Sequence, residues 1–400
     1  MKQCPICDTG YPDEHTTCPT DGAVLLEIRE WAPGTVIRNK YRILALLGRG
    51  GMGIVYKAEH LALEEVRALK VMATHLASDP KFVRRFRQEA QAARRLRHTN
   101  TVHVDDFEQA EDGSLFIAME YVDGVSLREL LRATKGALSL PRALAIARGV
   151  AEGLGAAHAL GMVHRDVKPE NILLARDAQG RDVPKVLDFG IVAIKEGSTT
   201  LSQRPLMTPP YASPEQWKGM KASDLDGRAD LYALGITLYE MLTGRLPLRA
   251  DSNQGWMRAH LEEMPLPPSQ CNPALMQSAG VDGLVLKLLA KEREQRPRHI
   301  QVFLQELNLL EAQLPWSQPT VPARDQSGVR VTPPAPSLTP LPSNELIPMP
   351  PPERNPTPPQ DRIVRLSDWE VFGPWITGRT KLIVVVLAVL LILILIGGTR

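Results

Sequence analysis

The stretch that decides the fold is His164-Arg165-Asp166-Val167-Lys168-Pro169-Glu170-Asn171, which is followed by Asp188-Phe189-Gly190. Taken alone, Asp-Phe-Gly is typical of an ordinary turn and His-Arg-Asp of a surface loop. Both stretches occur here, in this order, and unrelated turns and loops do not explain that combination. The pairing therefore indicates one site that draws residues from both stretches.

A glycine-rich stretch precedes them, Leu47-Gly48-Arg49-Gly50-Gly51-Met52-Gly53-Ile54-Val55-Tyr56. It lies between two strand-like runs rather than before a helix, which favours a strand-turn-strand phosphate cover over a dinucleotide fingerprint. Glycine lets backbone N–H groups approach phosphate oxygens without a side-chain clash, and Val55 can pack on an adenine ring. On its own, the glycine pattern fits a plain turn equally well.

A lysine and a glutamate follow the glycine-rich stretch. Lys70 ends a strand-like run, and Glu89 lies in a helix-like segment among Phe86, Ala90 and Ala93. Each residue alone is typical of a solvated surface charge. Their order and spacing after the glycines predict a lysine beside phosphates, with Glu89 holding its geometry.

Together these motifs resemble the eukaryote-like, or Hanks-type, serine/threonine protein kinases of bacteria. The resemblance covers residues 41–305 and implies an α+β, two-lobed fold with a small β-rich N-lobe and a large helical C-lobe. It implies transfer of the ATP γ-phosphate to serine or threonine of protein substrates and of the chain itself. Lys168, two residues after Asp166, is the pattern of the serine/threonine members.

The same resemblance implies the roles of the site residues. Asp166 accepts the proton of the substrate hydroxyl, Lys168 contacts the γ-phosphate, and Asn171 and Asp188 hold Mg²⁺. Phosphoryl transfer spreads negative charge over three oxygens, so it needs positioned cations, and oxygen donors suit the hard Mg²⁺ ion. The ATP-binding residues implied in this way are Leu47, Gly48, Gly50, Gly53, Val55, Ala68, Lys70, Met119, Glu120, Val122 and Leu173.

The activation segment implied by the resemblance runs from Asp188 to Glu215. Two of its residues depart from the family pattern, because Met207 replaces a glycine and Ser213 an alanine. Arg165 beside Asp166 predicts regulation by phosphate on this segment. The regulatory candidates are Ser198, Thr199, Thr200, Ser202 and Thr208. The alternative for the stretch from Gly197 to Thr200 is a merely polar loop.

Three further residues match structural positions of the family. Glu215 and Arg296 match a buried ion pair of the helical lobe, and Asp230 matches the residue that braces the catalytic loop. These positions argue against a small-molecule phosphotransferase, which lacks this half of the fold. The other alternative is a catalytically silent scaffold that recruits partners.

The N-terminal residues 1–24 resemble a short zinc ribbon. Cys4, Cys7 and Cys18 occur with Asp21 where a fourth cysteine is expected. A tetrahedral Zn²⁺ site needs four ligands, and Asp21 or His15 could complete it. The alternative is a flexible tail without metal.

The C-terminal part differs in composition from the rest. Residues 314–378 are predicted to be a proline-rich disordered linker, since 15 of the 45 residues from 315 to 359 are proline. The unbroken apolar run from Leu382 to Ile396 predicts a transmembrane helix over 380–398. Arg379 and Lys381 precede it, which fits a cytoplasmic kinase domain.

The charge composition restricts the classes of partner that the chain is expected to bind. Lys and Arg number 47 against 45 for Asp and Glu, so the charge favours no nucleic acid. The N-terminus has no secretory h-region. We therefore expect a single-pass protein of the cell inner membrane that acts on protein substrates and self-associates for autophosphorylation in trans.

Overall fold

The structure is a computed structural model that describes residues 2–4, 10–12, 14–19, 22–27, 30–50, 53–72, 80–134, 136–189, 207–278 and 280–314. The activation-segment candidates from Ser198 to Ser202 lie outside these residues, as do Cys7 and Asp21. The predicted linker beyond Leu314 and the predicted helix at 380–398 also lie outside them.

Three short strands form an antiparallel sheet at the N-terminus, in the order β2-β1-β3. They are β1 (Lys2–Gln3), β2 (Gly10–Tyr11) and β3 (Leu26–Glu27). Cys4 and Cys18 are buried in one cluster with Leu25, against which Tyr11 and Ala23 pack. The two described cysteines of the ribbon-like segment therefore share one small interior.

An antiparallel sheet of six strands follows, in the order β4-β5-β6-β7-β9-β8. Its strands are β4 (Val36–Ile37), β5 (Tyr41–Gly50), β6 (Gly53–His60), β7 (Glu65–Met72), β8 (Val104–Gln109) and β9 (Leu115–Glu120). Helix α1 (Pro80–Ala93) packs against β8. This sheet and helix form the β-rich N-lobe.

Alternation along the strands divides the side chains of this sheet between two faces. Tyr56 on β6 and Phe116 on β9 belong to one buried cluster. Ala68 on β7 and Met119 on β9 belong to another, against which Val55 packs. Since Lys70 alternates with the first cluster, it lies on the second face with Ala68.

The C-lobe is mainly helical. Its helices are α2 (Leu127–Thr134), α3 (Leu140–His158), α4 (Pro214–Trp217), α5 (Gly227–Thr243), α6 (Asn253–Glu262), α7 (Pro268–Cys271), α8 (Val281–Leu288) and α9 (Ile300–Gln313). Helices α3 and α5 pack together in the largest buried cluster, which includes Leu154 and Leu234. A deeply buried core therefore surrounds α5.

The ends of α5 have local causes. The Asp226 side chain caps its first turn by accepting the backbone N–H of Arg228. Gly244 ends it in the left-handed conformation at φ +71°, which glycine adopts without strain. Local side-chain and backbone chemistry therefore fixes both ends of α5.

A third, smaller sheet adjoins residues His164–Asn171, which are called the catalytic stretch below. It has the antiparallel order β10-β11-β12, with β10 (Gly124–Ser126), β11 (Ile172–Arg176) and β12 (Asp182–Val186). The His164–Asn171 stretch precedes β11, and Asp188 follows β12 by two residues. Because β11 and β12 pair directly, the two stretches lie next to each other.

No helix in the described ranges is both long enough and apolar enough to cross a membrane. The predicted anchor is not among the residues to which this finding applies.

Candidate active site

The backbone of the catalytic stretch is held by one buried carboxylate. Asp230 on α5 accepts the backbone N–H of His164 at Oδ2 over 2.9 Å and that of Arg165 at Oδ1 over 2.7 Å. His158 Nε2 lies 2.8 Å from Asp230 Oδ2. Burial by itself raises the pKa of Asp230, but the hydrogen bond with His158 and the donors of the loop outweigh it and lower that pKa. Asp230 therefore stays an acceptor for the loop.

Strained backbone marks both stretches. Arg165 has φ +67° and Asp188 has φ +59°, values that non-glycine residues rarely adopt. His164 links the two stretches: its Nδ1 accepts the N–H of Asp166 over 3.2 Å, and its Nε2 donates to the Leu187 carbonyl over 2.5 Å. The surrounding contacts thus hold both strained residues in place.

Asp166 lies at the centre of a hydrogen-bonded group. Its Oδ1 accepts the Thr208 hydroxyl over 2.7 Å, and its Oδ2 lies 2.7 Å from Lys168 Nζ. Lys168 Nζ also donates to Thr208 Oγ1 over 2.6 Å. Asn171 Nδ2 donates to the Asp166 carbonyl over 2.8 Å and to its carboxylate over 3.1 Å. An acid, a cation and a hydroxyl therefore meet at one point.

Lys70 and Asp188 join the two lobes. Lys70 Nζ donates to Asp188 Oδ2 over 2.7 Å, and the Lys70 residue is 6% exposed. On β7, Lys70 pairs with Val55 of β6 and Ile117 of β9, which places it in the middle of the sheet. Glu89 lies on α1, and its side chain is not among those described. The sheet thus directs the buried ammonium of Lys70 at Asp188.

The donor set beside Asp188 fits a hard cation. The Asn171 amide nitrogen faces Asp166, which turns its oxygen away from that carboxylate. The backbone carbonyl of Asn171 accepts the N–H of Leu187 over 2.9 Å, so Asn171 lies beside the residue before Asp188. One amide oxygen and one carboxylate, on two neighbouring stretches of the chain, are ligands that suit Mg²⁺.

An apolar surface adjoins Lys70 on the same face of the sheet. Ala68 and Met119 pair across β7 and β9 and are both buried. Val55 and Val122 pack on the same cluster. Leu47 is exposed and Leu173 is partly buried. Apolar side chains of this kind line most small-molecule sites.

Glu120, which follows Met119 at the end of β9, makes contacts within the protein through its side chain and its backbone N–H. The Glu120 carboxylate pairs with Lys185 over 2.8 Å, and the backbone N–H of Glu120 donates to the His103 carbonyl over 2.9 Å. The side chain of Glu120 is thus occupied by the protein itself. Its predicted part in ATP binding could only come from the backbone carbonyl.

The glycine-rich hairpin joins β5 to β6. Gly50 pairs with Gly53, and Gly48 pairs with Val55. Gly53 has φ +132°, and a Cβ built there would lie 1.8 Å from the Val71 carbonyl oxygen. Only glycine fits this position, because a side chain would collide with the neighbouring strand.

A charged network that sequence reasoning missed links the catalytic stretch to the end of the activation segment. Arg128 on α2 donates to Glu170 Oε1 over 2.7 Å and to Glu240 Oε1 over 2.6 Å. It also bonds the hydroxyl of Tyr211, which itself donates to Glu240 Oε2 over 2.6 Å. No local sequence signal identifies Arg128, because its partners come from three separate elements.

Glu215 and Arg296 form a buried bidentate pair, with contacts of 2.7 and 2.9 Å. The Arg296 side chain is 0% exposed. Its guanidinium also donates to the carbonyls of Ala290 and Arg228, and it lies 4.8 Å from the centre of the Tyr232 ring. The pair anchors the end of the activation segment in the C-lobe.

In the described parts of the chain, no group of three or more His, Cys, Asp or Glu side chains could hold a metal ion. Of the four predicted zinc ligands, Cys4 and Cys18 are described, while Cys7 and Asp21 are not; the alternative ligand His15 is described and exposed.

Residues 41–307 match the protein kinase domain family. The chain is 41% identical over 283 residues to the serine/threonine-protein kinase pkn3 of Myxococcus xanthus, covering 70% of this chain and 51% of the relative. It is 40% identical over 266 residues to the serine/threonine-protein kinase PknB of Mycobacterium tuberculosis, covering 65% of this chain and 41% of the relative. The chain thus spans about half, or less, of these relatives.

A solved structure gives the same result. The kinase domain of PknI from Mycobacterium tuberculosis is 31% identical and superposes with a TM-score of 0.56. The match covers 71% of this chain and 100% of that domain. The expected two-lobed fold, with a β-sheet N-lobe and a helical C-lobe, is confirmed.

Proposed function

This chain belongs to the protein kinase family, and from that membership we propose that it transfers the γ-phosphate of ATP to serine or threonine of protein substrates. The observation that carries the proposal is the hydrogen-bonded group around Asp166. It joins a carboxylate, the Lys168 ammonium and the Thr208 hydroxyl within 2.6–2.7 Å of one another. A substrate hydroxyl beside Thr208 Oγ1 would meet the same acid and cation.

The proposed roles follow from charge and reach. Asp166 takes the proton of the attacking hydroxyl, and Lys168 balances charge on the transferred phosphoryl group. Lys70 binds phosphate oxygens, and the proposed role of Glu89 is to position Lys70. Asn171 and Asp188 would hold Mg²⁺, which when bound neutralises charge on the phosphates. The remaining predicted residues enclose the nucleotide.

Two alternatives predict different results in one assay. A silent scaffold transfers no phosphate, and a small-molecule kinase phosphorylates free metabolites but not proteins. We would incubate the full chain with Mg²⁺ and radiolabelled ATP against a protein panel and a metabolite panel. We expect label on protein that is lost in Asp166→Asn, with ATP binding retained. The matched control is Asp177→Asn, in a surface turn that binds Arg181.

The proposal includes regulation by autophosphorylation. Arg165 Nη2 donates to the Ala222 carbonyl over 2.8 Å, while its Nε is buried and has no acceptor among the described residues. A phosphate on the activation segment would supply one. The candidates are Ser198, Thr199, Thr200, Ser202 and Thr208. Mass spectrometry after incubation with Mg·ATP, with Asp166→Asn as control, tests this; no phosphate between residues 195 and 208 contradicts it.

We further propose that residues 380–398 anchor the kinase in the inner membrane, with the catalytic domain in the cytoplasm and residues 314–378 as a flexible linker. Support comes from the apolar run Leu382–Ile396 and from Arg379 and Lys381 before it. Anchoring raises the local concentration and favours autophosphorylation in trans. The full chain should sediment with membranes and a chain ending at residue 378 should not.

The N-terminal segment is proposed to bind Zn²⁺ through Cys4, Cys7, Cys18 and Asp21. Burial of Cys4 and Cys18 in one cluster supports this, because two ligands of one ion must lie together. Elemental analysis should find about one zinc per chain, a stoichiometry expected for one four-ligand site. The content should fall in a variant with Cys4→Ser and Cys7→Ser but not in Cys271→Ser. Unchanged zinc in the double variant contradicts the proposal.

A further inference from the structure

Residues ahead of the matched family region complete the core of the N-lobe. Trp31 is 8% exposed and belongs to the same buried cluster as Tyr56 and Phe116. Its ring stacks on Tyr56 at 5.7 Å and meets Phe116 edge-on at 6.0 Å. Its backbone N–H donates to the Tyr56 hydroxyl over 2.9 Å, and its indole N–H donates to Asp112 over 3.1 Å. These contacts fix the chain at Trp31 and therefore place Glu30 beside it.

Arg49 lies between two glycines of the hairpin, on the face that carries Trp31. Directly paired residues of neighbouring strands point to the same face of a sheet. Arg49 pairs with Ile54, which belongs to the Trp31 cluster. Gly48 pairs with Val55, which pairs with Lys70 on the opposite face. The Arg49 side chain therefore points away from the nucleotide side.

Glu30 and Arg49 form a two-point contact. Arg49 Nε donates to Glu30 Oε1 over 3.0 Å, and Arg49 Nη2 donates to Glu30 Oε2 over 2.9 Å. Two parallel bonds restrict the guanidinium more than one bond does. Since Gly48 and Gly50 flank Arg49, this contact holds the glycine-containing end of β5, where the backbone has the fewest steric restraints of its own.

We propose that Glu30 is a positioning residue for ATP: through Arg49 it holds the glycine-rich hairpin from its outer face, over the site of the phosphates. The inference rests on the proposed ATP-dependent activity. A hairpin that is already ordered loses less conformational freedom when ATP binds, so the contact raises ATP affinity. Glu30 does not touch the reacting atoms, and the rate of transfer at saturating ATP should stay unchanged.

The test compares ATP affinity in the full chain and in single variants. We would measure KM for ATP and kcat at saturating protein substrate, and binding of a non-hydrolysable ATP analogue with Mg²⁺. For Glu30→Gln and Arg49→Gln we expect both KM and Kd to rise about two- to fivefold, the range of a solvent-exposed ion pair, with kcat preserved. The matched control is Glu59→Gln. This variant breaks the 2.9 Å contact between Glu59 on β6 and Arg42 on β5, the strand that also carries Arg49. It should leave KM and Kd unchanged.

Charge exchange distinguishes positioning from general damage. Glu30→Arg and Arg49→Glu should each weaken ATP binding, and the two together should restore it. The inference is overturned if Glu30→Gln binds the analogue as tightly as Glu59→Gln does, if the exchange restores nothing, or if only the melting temperature falls. If the wild-type chain binds the analogue but labels no protein, the proposed function fails, while the binding series still decides the role of Glu30.

Discussion

Lys70 Nζ lies 2.7 Å from Asp188 Oδ2, although 118 positions separate the two residues in the chain. The contact crosses from the sheet of the N-lobe to the end of β12. It holds a cation and a carboxylate where phosphate and metal are expected to meet.

Replacing Lys70 by methionine should remove the cation and keep most of the side-chain volume. We expect kcat/KM for ATP to fall about 100-fold or more, because a positioned charge in a catalytic site contributes on that order. Radiolabel transfer and analogue binding measure the effect. Lys287→Met, which breaks an exposed contact with Glu306, is the matched control and should keep wild-type activity. Equal activity in both variants contradicts the role of Lys70.

Thr208 should act through its hydroxyl rather than its shape. Thr208→Val deletes the bonds to Asp166 and Lys168, and we expect a loss of about tenfold in kcat, the value of one hydrogen bond to a charged group. Thr208→Ser keeps the hydroxyl and should retain most of the activity. Steady-state kinetics on both variants provide the test, and equal losses would mean that the methyl group matters instead.

Much of this site could be predicted from the sequence because its residues lie in short, ordered motifs. Asp166, Lys168 and Asn171 fall within six positions, so their proximity is a local property of one loop. The strand-like runs expected on either side of the glycine-rich stretch are β5 and β6. The repeating pattern of apolar residues carries that information directly.

Other contacts could not be predicted, because only the tertiary fold creates them. Arg128 on α2 contacts Glu170 of the catalytic stretch and Glu240 on α5, so three separate parts of the chain meet there. Nothing near Arg128 in the sequence distinguishes it from a surface arginine. Trp31 precedes the kinase motifs and has no periodic pattern around it. Its burial depends on the open face of the N-lobe sheet, which the sequence does not display.

Trp31→Ala should destabilise the N-lobe by about 3–5 kcal/mol, the usual cost of removing a buried tryptophan side chain. The indole packs on Tyr56 and Phe116, and its loss leaves a cavity in that cluster. Urea unfolding measures the change. Val36→Ala on β4 removes a half-exposed side chain and should cost far less. Equal midpoints for the two variants would contradict a core role for Trp31.

Substitutions of Glu215 and Arg296 should have strongly non-additive effects on the free energy of unfolding. Glu215→Gln leaves the fully buried Arg296 guanidinium without its anion, and we expect a loss of about 3–5 kcal/mol. Arg296→Met should cost a similar amount. The double variant should lose less than the sum, because no unpaired charge stays buried. Glu262→Gln breaks an exposed pair with Arg258 and should cost under about 1 kcal/mol. Additive losses in urea unfolding would contradict a coupled buried pair.

His260 on α6 should make stability depend on pH. Its ring stacks on those of Trp217 and Trp256, and its Nδ1 lies 2.8 Å from the Tyr232 hydroxyl. Burial, with the charge of Lys291, lowers the pKa of His260 from 6.5 to about 4. Between these values the unfolded chain binds the proton and the folded chain does not, so acidification favours unfolding.

We expect the free energy of unfolding to fall as pH drops from 6.5 towards 4, by up to roughly 3 kcal/mol from this group. His260→Asn removes the titration and should flatten that part of the profile, even if it lowers stability at pH 7. His299→Asn, at an exposed position, is the matched control and should leave the slope unchanged. Because carboxylates also titrate in this range, the difference between the two variant profiles isolates His260. Parallel profiles for the two variants would mean that the folded protein accepts the proton at this site without penalty.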